Sequence, residues 1–206
     1  MSGIEPFAPT IVKLGGTIIS QAPKGFKYIK SLLTGKTIII VGQERAGKTT
    51  FLEYFQYGFF EDEKDTSKTY DVTPSVRFDV KLGRNETLEL SVKTVIDVPG
   101  QIGAIFQAKE IYNQKPHAIL IFMDINRPLK TSKEWLTEFC KRLETYWRAN
   151  KGKKNRVKGI ILVLNKKDKT DAKTMEARKK AFHKIIDTEL KESKGKMLDE
   201  ILVIPT

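Results

Sequence analysis

The amino-acid sequence predicts an α/β fold: a mostly parallel six-stranded sheet with one antiparallel edge strand and helices on both faces. Three observations lead to this prediction. A short apolar strand, Ile38 to Val41, runs directly into a glycine-containing loop that opens a helix. Apolar runs and amphipathic helical segments then alternate along the chain, as in sheets built from βαβ units. A length of 206 residues suits one such domain plus an extension.

The composition is that of a globular protein with a lysine-rich surface. Hydrophobic residues make up 40% and charged residues 30% of the chain, and no apolar run is long enough for a membrane-spanning helix. Glu5, Pro6 and the Gly15-Gly16 pair do not fit a secretory signal peptide, so we expect a cytoplasmic protein. The net charge of +12 comes from lysines spread along predicted helices and loops, so we expect no specific nucleic-acid binding.

Cysteine and histidine form no cluster in the sequence. Cys140 lies among Leu136, Phe139 and Leu143 at helical spacing, which predicts a core position. The two histidines have no cysteine or second histidine at ligand spacing, so we expect neither a structural zinc site nor a catalytic triad.

Apolar spacing predicts the remaining elements in order. Two short helices, over residues 9–20 and 24–33, precede the first strand. Residues 59–74 are acidic, polar and without a period, which predicts a loop, and Val76 to Leu82 and Thr87 to Asp97 form a hairpin. The later helices are predicted at residues 48–58, 104–112, 132–149 and 173–192, and the later strands at residues 118–123, 159–164 and 201–204.

The loop after the first strand fits the pattern GxxxxGK[ST] at every fixed position. Its glycines let the backbone bend around an anion, and successive N–H groups then point inward at the start of the next helix. In this motif Lys48 reaches the β- and γ-phosphates of a nucleotide and Thr49 a Mg²⁺ ion. The predicted phosphate-binding residues are Gly42, Glu44, Arg45, Ala46, Gly47, Lys48, Thr49 and Thr50.

Two further motifs follow at the ends of later strands, and together they carry a resemblance. Asp97-Val98-Pro99-Gly100-Gln101 contains DxxG, and Asn165-Lys166-Lys167-Asp168 fits NKxD. With the phosphate loop before them, these motifs occur in the order found in the Ras-like small GTPases, which residues 36–206 resemble. The resemblance implies a G domain that binds GTP or GDP with Mg²⁺.

NKKD predicts the choice of base. The Asp168 carboxylate accepts hydrogen bonds from the N1–H and 2-amino groups of guanine, whereas adenine offers no such pair of donors. GTP is therefore favoured over ATP. By the resemblance, Asn165 braces this loop against the phosphate loop, and the stem of Lys166 packs on the base.

DVPGQ is expected to sense the γ-phosphate. The resemblance implies that Asp97 holds a Mg²⁺-bound water, that the N–H of Gly100 turns onto the γ-phosphate, and that Gln101 orients the attacking water. Lys48 and Gln101 are thus the predicted catalytic residues. For the switch-one metal ligand, the segment resembles the Arf-type sequence with Ser75 in the place of the usual threonine, and Thr73 is the second candidate.

The branch within this superfamily stays open. The loop from Glu44 to Thr50 resembles the Arf type, and Val98 to Gln101 is similar to prokaryotic GTPases of the bacterial polarity type. Ser2 replaces the glycine that N-myristoylation of Arf proteins requires, and there is no C-terminal prenylation box.

The first functional interpretation is a GTP/GDP switch with slow hydrolysis. The switch would act on a protein effector. No arginine is clearly placed to stabilise transition-state charge, with Arg45 and Arg77 only weak candidates, so a GTPase-activating partner is expected to supply one. The alternative is a GTP-binding scaffolding or assembly module with negligible hydrolysis, and Gln101 is the residue that separates the two.

Residues 1–35 are predicted to form a helical extension before a G domain at residues 36–206. We expect residues 9–33 to pack on the sheet in place of the helix that normally follows the last strand in this fold. The competing interpretation is peripheral membrane contact, because five lysines against Glu5 in residues 1–36 suit an anionic lipid surface. A third possibility is that the natural protein continues beyond Thr206.

Overall fold

The computed structural model describes residues 11–12, 30–31, 33–57, 71–82, 86–149, 156–166, 170–193 and 200–205. Within them the strands are β1 (Ile11–Val12), β2 (Thr37–Gly42), β3 (Asp71–Leu82), β4 (Glu86–Asp97), β5 (Ala118–Asp124), β6 (Gly159–Asn165) and β7 (Glu200–Pro205). The helices are α1 (Lys48–Tyr57), α2 (Gly103–Gln114), α3 (Leu129–Ala149) and α4 (Ala172–Glu189). A short 3-10 turn, Gly100–Ile102, precedes α2.

The seven strands form one sheet in the order β1-β3-β4-β2-β5-β6-β7. From β4 to β7 all neighbouring strands run parallel, whereas β3 pairs with β4 antiparallel and β1 pairs with β3 in parallel. The predicted mostly parallel α/β fold is confirmed. The predicted count of six is wrong for the described residues, since β1 adds a seventh strand outside the antiparallel one.

Residues 11–12 correct the prediction of a helix over residues 9–20. Ile11 and Val12 pair with Asp79 and Val80 of β3. Both are β-branched and fit a pleated strand as well as a helical stripe, so the unpaired edge of β3 decides their conformation. The second predicted helix is found in part, because Lys30, Ser31 and Leu33 are helical and Leu33 is buried.

Strand β3 begins earlier than the sequence indicates. Residues 71–74 belong to the strand and not to the predicted loop, because the register continues past the hairpin until Asp71 pairs with Asp97. Residues 59–70, the rest of that predicted loop, lie outside the described residues.

The core lies mainly between the sheet and three helices. Side chains of α2, α3 and α4 pack on alternate residues of β2, β5 and β6, including Ile39, Ile119 and Ile160. On the opposite face α1 packs against β2 and β3, and the ring of Phe51 meets that of Phe122 at 4.7 Å. Because every strand residue at the centre is buried on one face or the other, the carboxyl ends of these strands are fixed in position.

Candidate functional site

The carboxyl ends of four parallel strands bring the predicted motifs together. Gly42 ends β2, Asp97 ends β4, Asp124 ends β5 and Asn165 ends β6. These strands are neighbours in the sheet, so their last residues share one edge. Ligands bind at this edge in open α/β sheets.

Two glycines allow the phosphate loop to approach its neighbours. Gly42 has a φ of +145°, and a Cβ there would collide with the backbone of Phe122 on β5. Gly47 has a φ of +86°, and a Cβ there would collide with the side-chain amide of Asn165. Any other residue at these positions would push the loop away from β5 and β6.

Lys48 is buried at the base of the phosphate loop, where only 6% of it is exposed. Its Nζ donates to the carbonyl oxygens of Gly42 at 3.3 Å and Gln43 at 3.0 Å. Burial lowers the pKa of the Lys48 ammonium below its ordinary value, and the nearby Asp97 carboxylate opposes this shift only in part. The ammonium is therefore held on the loop, close to its first carbonyls.

Thr49 and Asp97 place two oxygen ligands side by side. The Thr49 hydroxyl donates to Asp97 Oδ2 at 3.5 Å, and Asp97 is 3% exposed. Hydroxyl and carboxylate oxygens are the ligands that Mg²⁺ accepts, with the rest of its shell from water and phosphate. This donor pair beside Lys48 fits a Mg²⁺ ion bound together with a nucleotide.

Asn165 joins the two motif loops. Its Nδ2 donates to the carbonyl oxygen of Ala46 at 2.9 Å, and its Oδ1 accepts from the backbone N–H of Lys166 at 2.8 Å. The resemblance implied this contact between the NKxD loop and the phosphate loop, and the structure contains it.

Lys166 is held by an aspartate that the sequence analysis did not single out. Its Nζ lies 2.7 Å from Asp124 Oδ2, and Asn126 Nδ2 donates to its carbonyl oxygen at 3.1 Å. Burial alone would raise the pKa of Asp124, but hydrogen bonds from Lys166 and from the Asn126 backbone outweigh it and leave the pKa below its ordinary value.

Gln107 of α2 is a second residue that the sequence analysis missed. It is fully buried, and its Oε1 accepts from the Gly42 N–H at 2.7 Å. Its Nε2 lies within hydrogen-bond distance of three carbonyl oxygens, those of Gly42 at 3.0 Å, Pro99 at 3.3 Å and Gly100 at 3.4 Å. One side chain thus joins the start of the phosphate loop to the DVPGQ turn.

Arg127 is a third missed residue, in the loop after β5. Its Nη2 donates to the carbonyl oxygen of Glu44, and its own carbonyl accepts from Arg178 Nη1 at 2.8 Å. A cation therefore lies against the outer side of the phosphate loop, near the exposed side chains of Glu44 and Arg45. Arg45 itself adopts a left-handed backbone conformation, with a φ of 57°.

The two predicted switch-one ligands, Ser75 and Thr73, lie on β3. The register pairs Asp71 with Asp97, and Ser75 lies four residues further along β3, about 13 Å along the strand at roughly 3.3 Å per residue. Thr73, the second candidate, is two residues from Asp71 and half-buried. Ser75 as a metal ligand stays a prediction, and in this conformation its backbone is far from Thr49 and Asp97.

The remaining predicted residues lie at the rim or outside the described chain. Gln101 is exposed in the 3-10 turn, and Thr50 is exposed in the first turn of α1. Gly100 packs closely on the phosphate loop, since a Cβ there would lie 2.6 Å from the Glu44 backbone and from Lys48 Nζ. Asp168 lies outside the described residues.

This fold and this site define a P-loop nucleotide-binding domain of the Ras-like class. The chain belongs to the Roc family. The family model described as "Ras of Complex, Roc, domain of DAPkinase" matches residues 37–168, which is more than half of the chain. The predicted place among Ras-like small GTPases is confirmed, while the Arf-type and prokaryotic branches stay predictions.

Solved structures share the fold at low sequence identity. The signal recognition particle receptor SRb-GTP/SRX complex from Chaetomium thermophilum is 17% identical, with a TM-score of 0.51 over 84% of this chain and 90% of that one. The mammalian SRP receptor is 19% identical, with a TM-score of 0.51 over 82% of this chain and 89% of that one. The comparison with curated proteins finds no match.

The described helices include none with both the length and the apolar character needed to cross a lipid bilayer.

Proposed function

We propose that this protein is a GTP/GDP switch that binds guanine nucleotide with Mg²⁺ and hydrolyses GTP slowly. Membership of the Roc family implies a guanine-nucleotide-binding domain. The observation that supports nucleotide binding with Mg²⁺ and GTP hydrolysis is the convergence of the phosphate loop, Asp97 and Asn165 at one edge of the sheet.

Lys48 and the backbone of the loop would carry the phosphate charge. Loop N–H groups and the α1 N-terminus favour an anion, and Lys48 Nζ needs only to exchange the Gly42 and Gln43 carbonyls for phosphate oxygens. Because burial disfavours its cationic form, a negatively charged ligand would compensate more than it would for an exposed lysine.

Thr49 and Asp97 are the residues that would hold Mg²⁺, directly or through water. The ion would supply neutralisation of charge on the phosphate oxygens. We keep Ser75 and Thr73 as proposed switch-one ligands, which requires residues 71–75 to leave the register that they have in β3.

Asp168, Asn165 and Lys166 would select guanine. Asn165 already contacts Ala46, so a base held by this loop would lie at a fixed distance from the phosphate loop. The proposed role of Asp168 comes from the NKKD sequence and the family.

Gln101 would orient the attacking water, and its exposure leaves room for a partner to complete the site. A GTPase-activating partner and an effector are therefore proposed. Phe106, 60% exposed on α2 next to Gln107, is a large exposed apolar side chain close in sequence to this turn, and such a partner would contact it.

The extension is proposed to cover the sheet face that carries α1. Ile161 and Val163 point to that face by alternation with the core residues Ile160 and Leu162, and they are 3% and 4% exposed. Among the described elements α1 packs on β2 and β3, so β6 needs a separate cover. Ile11 and Val12 pair with β3 on the other side of the sheet, so of the predicted residues 9–33 we propose the part after Val12. Peripheral membrane contact by this segment in a cytoplasmic protein is the competing proposal.

The test is single-turnover GTP hydrolysis by the wild type and Gln101→Leu, with Mg²⁺ or with EDTA. We expect slow hydrolysis by the wild type, acceleration by cell extract as a source of partners, and a loss of about a hundredfold in the accelerated rate for Gln101→Leu. Gln114→Leu, an exposed glutamine at the far end of α2, is the matched control and should hydrolyse like the wild type.

Equal rates for the wild type and Gln101→Leu in the presence of extract would instead favour the scaffolding module. In that case GTP binding would remain and hydrolysis would be negligible. Equal rates with Mg²⁺ and with EDTA would count against the proposed ion.

A further inference from the structure

Gln107 has two separable contacts, one for each end of its amide. Among the described residues, the Oε1 end accepts from the Gly42 N–H at 2.7 Å, and so holds the beginning of the phosphate loop. The Nε2 end faces the carbonyls of Gly42, Pro99 and Gly100. The Gln107 side chain and Gly42 are buried, so water does not replace the contact between them, whereas the contacts with the Pro99 and Gly100 carbonyls are only part-buried.

The Nε2 group has fewer hydrogens to donate than there are carbonyl oxygens near it. An amide NH₂ donates two hydrogen bonds, and three carbonyl oxygens lie between 3.0 and 3.4 Å from it. The shortest contact goes to Gly42, so the second hydrogen is shared between Pro99 and Gly100. The hydrogen bonding of Gln107 to the DVPGQ turn is therefore weaker than its hydrogen bonding to the phosphate loop. The contact with the turn can break without moving the phosphate loop.

The contact with Pro99 also fixes the direction of the next N–H. The peptide unit between Pro99 and Gly100 is planar and trans, so its carbonyl oxygen and the Gly100 N–H point in opposite directions. When Gln107 holds the oxygen on the buried side, the N–H must point away from α2. Gly100 itself packs against Glu44 and Lys48 Nζ at the mouth of the phosphate loop.

We propose that Gln107 is a positioning residue for recognition of the third phosphate. It sets the direction of the Gly100 N–H next to Lys48, and so favours GTP over GDP. The inference rests on the proposed function of this site as a guanine-nucleotide switch. Gln107 acts through Gly100 and is not expected to touch the nucleotide.

The experiment measures the affinities of the full chain for GDP and for a non-hydrolysable GTP analogue by titration with fluorescent nucleotides. Gln107→Glu keeps an acceptor for the Gly42 N–H and removes the donor that faces the turn. We expect its affinity for the GTP analogue, relative to GDP, to fall about tenfold, the size of one lost hydrogen bond to a charged group. Gln107→Met removes both ends at similar volume and should lower both affinities as well as their ratio.

Ile111→Val, one turn further along the buried face of α2, is the control for lost stability. Ile111→Val should leave the ratio of the GTP-analogue affinity to the GDP affinity unchanged. Thermal melting of all variants shows how much of any change in affinity comes from lost stability. A ratio for Gln107→Glu and Gln107→Met that stays at the wild-type value, or rises, would overturn the inference while nucleotide binding by the wild type still stands. If the wild type binds neither nucleotide, the proposed function fails and the inference fails with it.

Discussion

The site has a phosphate half, the loop from Gly42 to Thr50 with its contacts, and a base half, the NKKD loop with its contacts. Different kinds of interaction hold the two halves in place. In the phosphate half, Lys48 and Gln107 are buried and contact mainly backbone carbonyls. In the described part of the base half, Lys166 depends on an ion pair with Asp124, in which the lysine side chain is 34% exposed and the aspartate side chain 10%.

The two halves should respond differently to salt and pH. Buried hydrogen bonds to backbone are screened little by salt, and leaving one partner unpaired is costly. An ion pair near the surface contributes less and depends on salt and pH. We therefore expect the phosphate half to be set by the fold and the base half to respond to solution conditions.

The largest effect is expected from Lys48→Ala. The variant leaves the Gly42 and Gln43 carbonyls without this donor and removes the cation that would bind phosphate. GTP and GDP affinity should both fall by more than about a hundredfold, equivalent to roughly 3 kcal/mol for charge-assisted hydrogen bonds. Calorimetric titration at two salt concentrations measures this.

Lys130→Ala, an exposed lysine in the first turn of α3, is the control and should bind like the wild type. A Lys48→Ala protein that binds GTP within a few-fold of the wild type, while remaining folded, would show that the phosphate half does not depend on its buried cation.

The next effect in size is expected from Asp168→Asn in the base half. Asn keeps one acceptor oxygen, so one charge-assisted hydrogen bond to guanine is lost and GTP binding should weaken by about 1.5 to 3 kcal/mol, the contribution of one such bond. Because the loss is specific to the base, binding of inorganic phosphate or triphosphate should not change. Titrations with GTP and ATP analogues measure it, and tight ATP binding by the wild type would refute the predicted base choice.

The smallest effect is expected from Lys166→Met, and it is measured as a change in the free energy of unfolding at several pH values. The pKa of Asp124 is lowered in the folded protein, so its pairing stabilises the fold above the ordinary pKa of an aspartate and this contribution is lost as the pH falls through the folded value. At neutral pH the variant should lose about 1 kcal/mol or less in urea unfolding, with a smaller loss at high salt.

That difference from the wild type should also shrink towards acid pH. Lys179→Met removes the more exposed pair with Glu176 on α4 and serves as the control, with a smaller loss expected. A loss for Lys166→Met that is constant from acid to neutral pH would mean that the lysine stabilises through packing and not through its charge.

The sequence predicts the parts of this protein that depend on local pattern. The strand before Gly42, the helix predicted at residues 104–112 and observed at Gly103–Gln114, and the strand ending at Asp124 all follow from apolar spacing and turn residues. The phosphate loop is visible because its glycines and Lys48 lie within eight consecutive residues.

The residues that were missed depend on contacts between distant segments. Gln107 does leave a trace, since it is a polar residue on the buried stripe of Ala104, Ala108 and Ile111, but nothing local shows that it reaches Gly42. Asp124 likewise ends an otherwise apolar strand, and its partner Lys166 lies 42 residues away in sequence. The pairing of Ile11 and Val12 with β3 depends on which edge of the sheet is available.

The hydrogen bond from Asn165 to Ala46 bears on the order in which the chain folds. It joins residues that are 119 positions apart, so the two halves of the site come into contact only after β6 has joined the sheet. Contacts of such separation form late, because the chain between them must first lose its freedom. A nucleotide that binds the native protein and contacts both halves of the site would therefore stabilise the folded sheet, by an amount that rises with the logarithm of its free concentration above the dissociation constant.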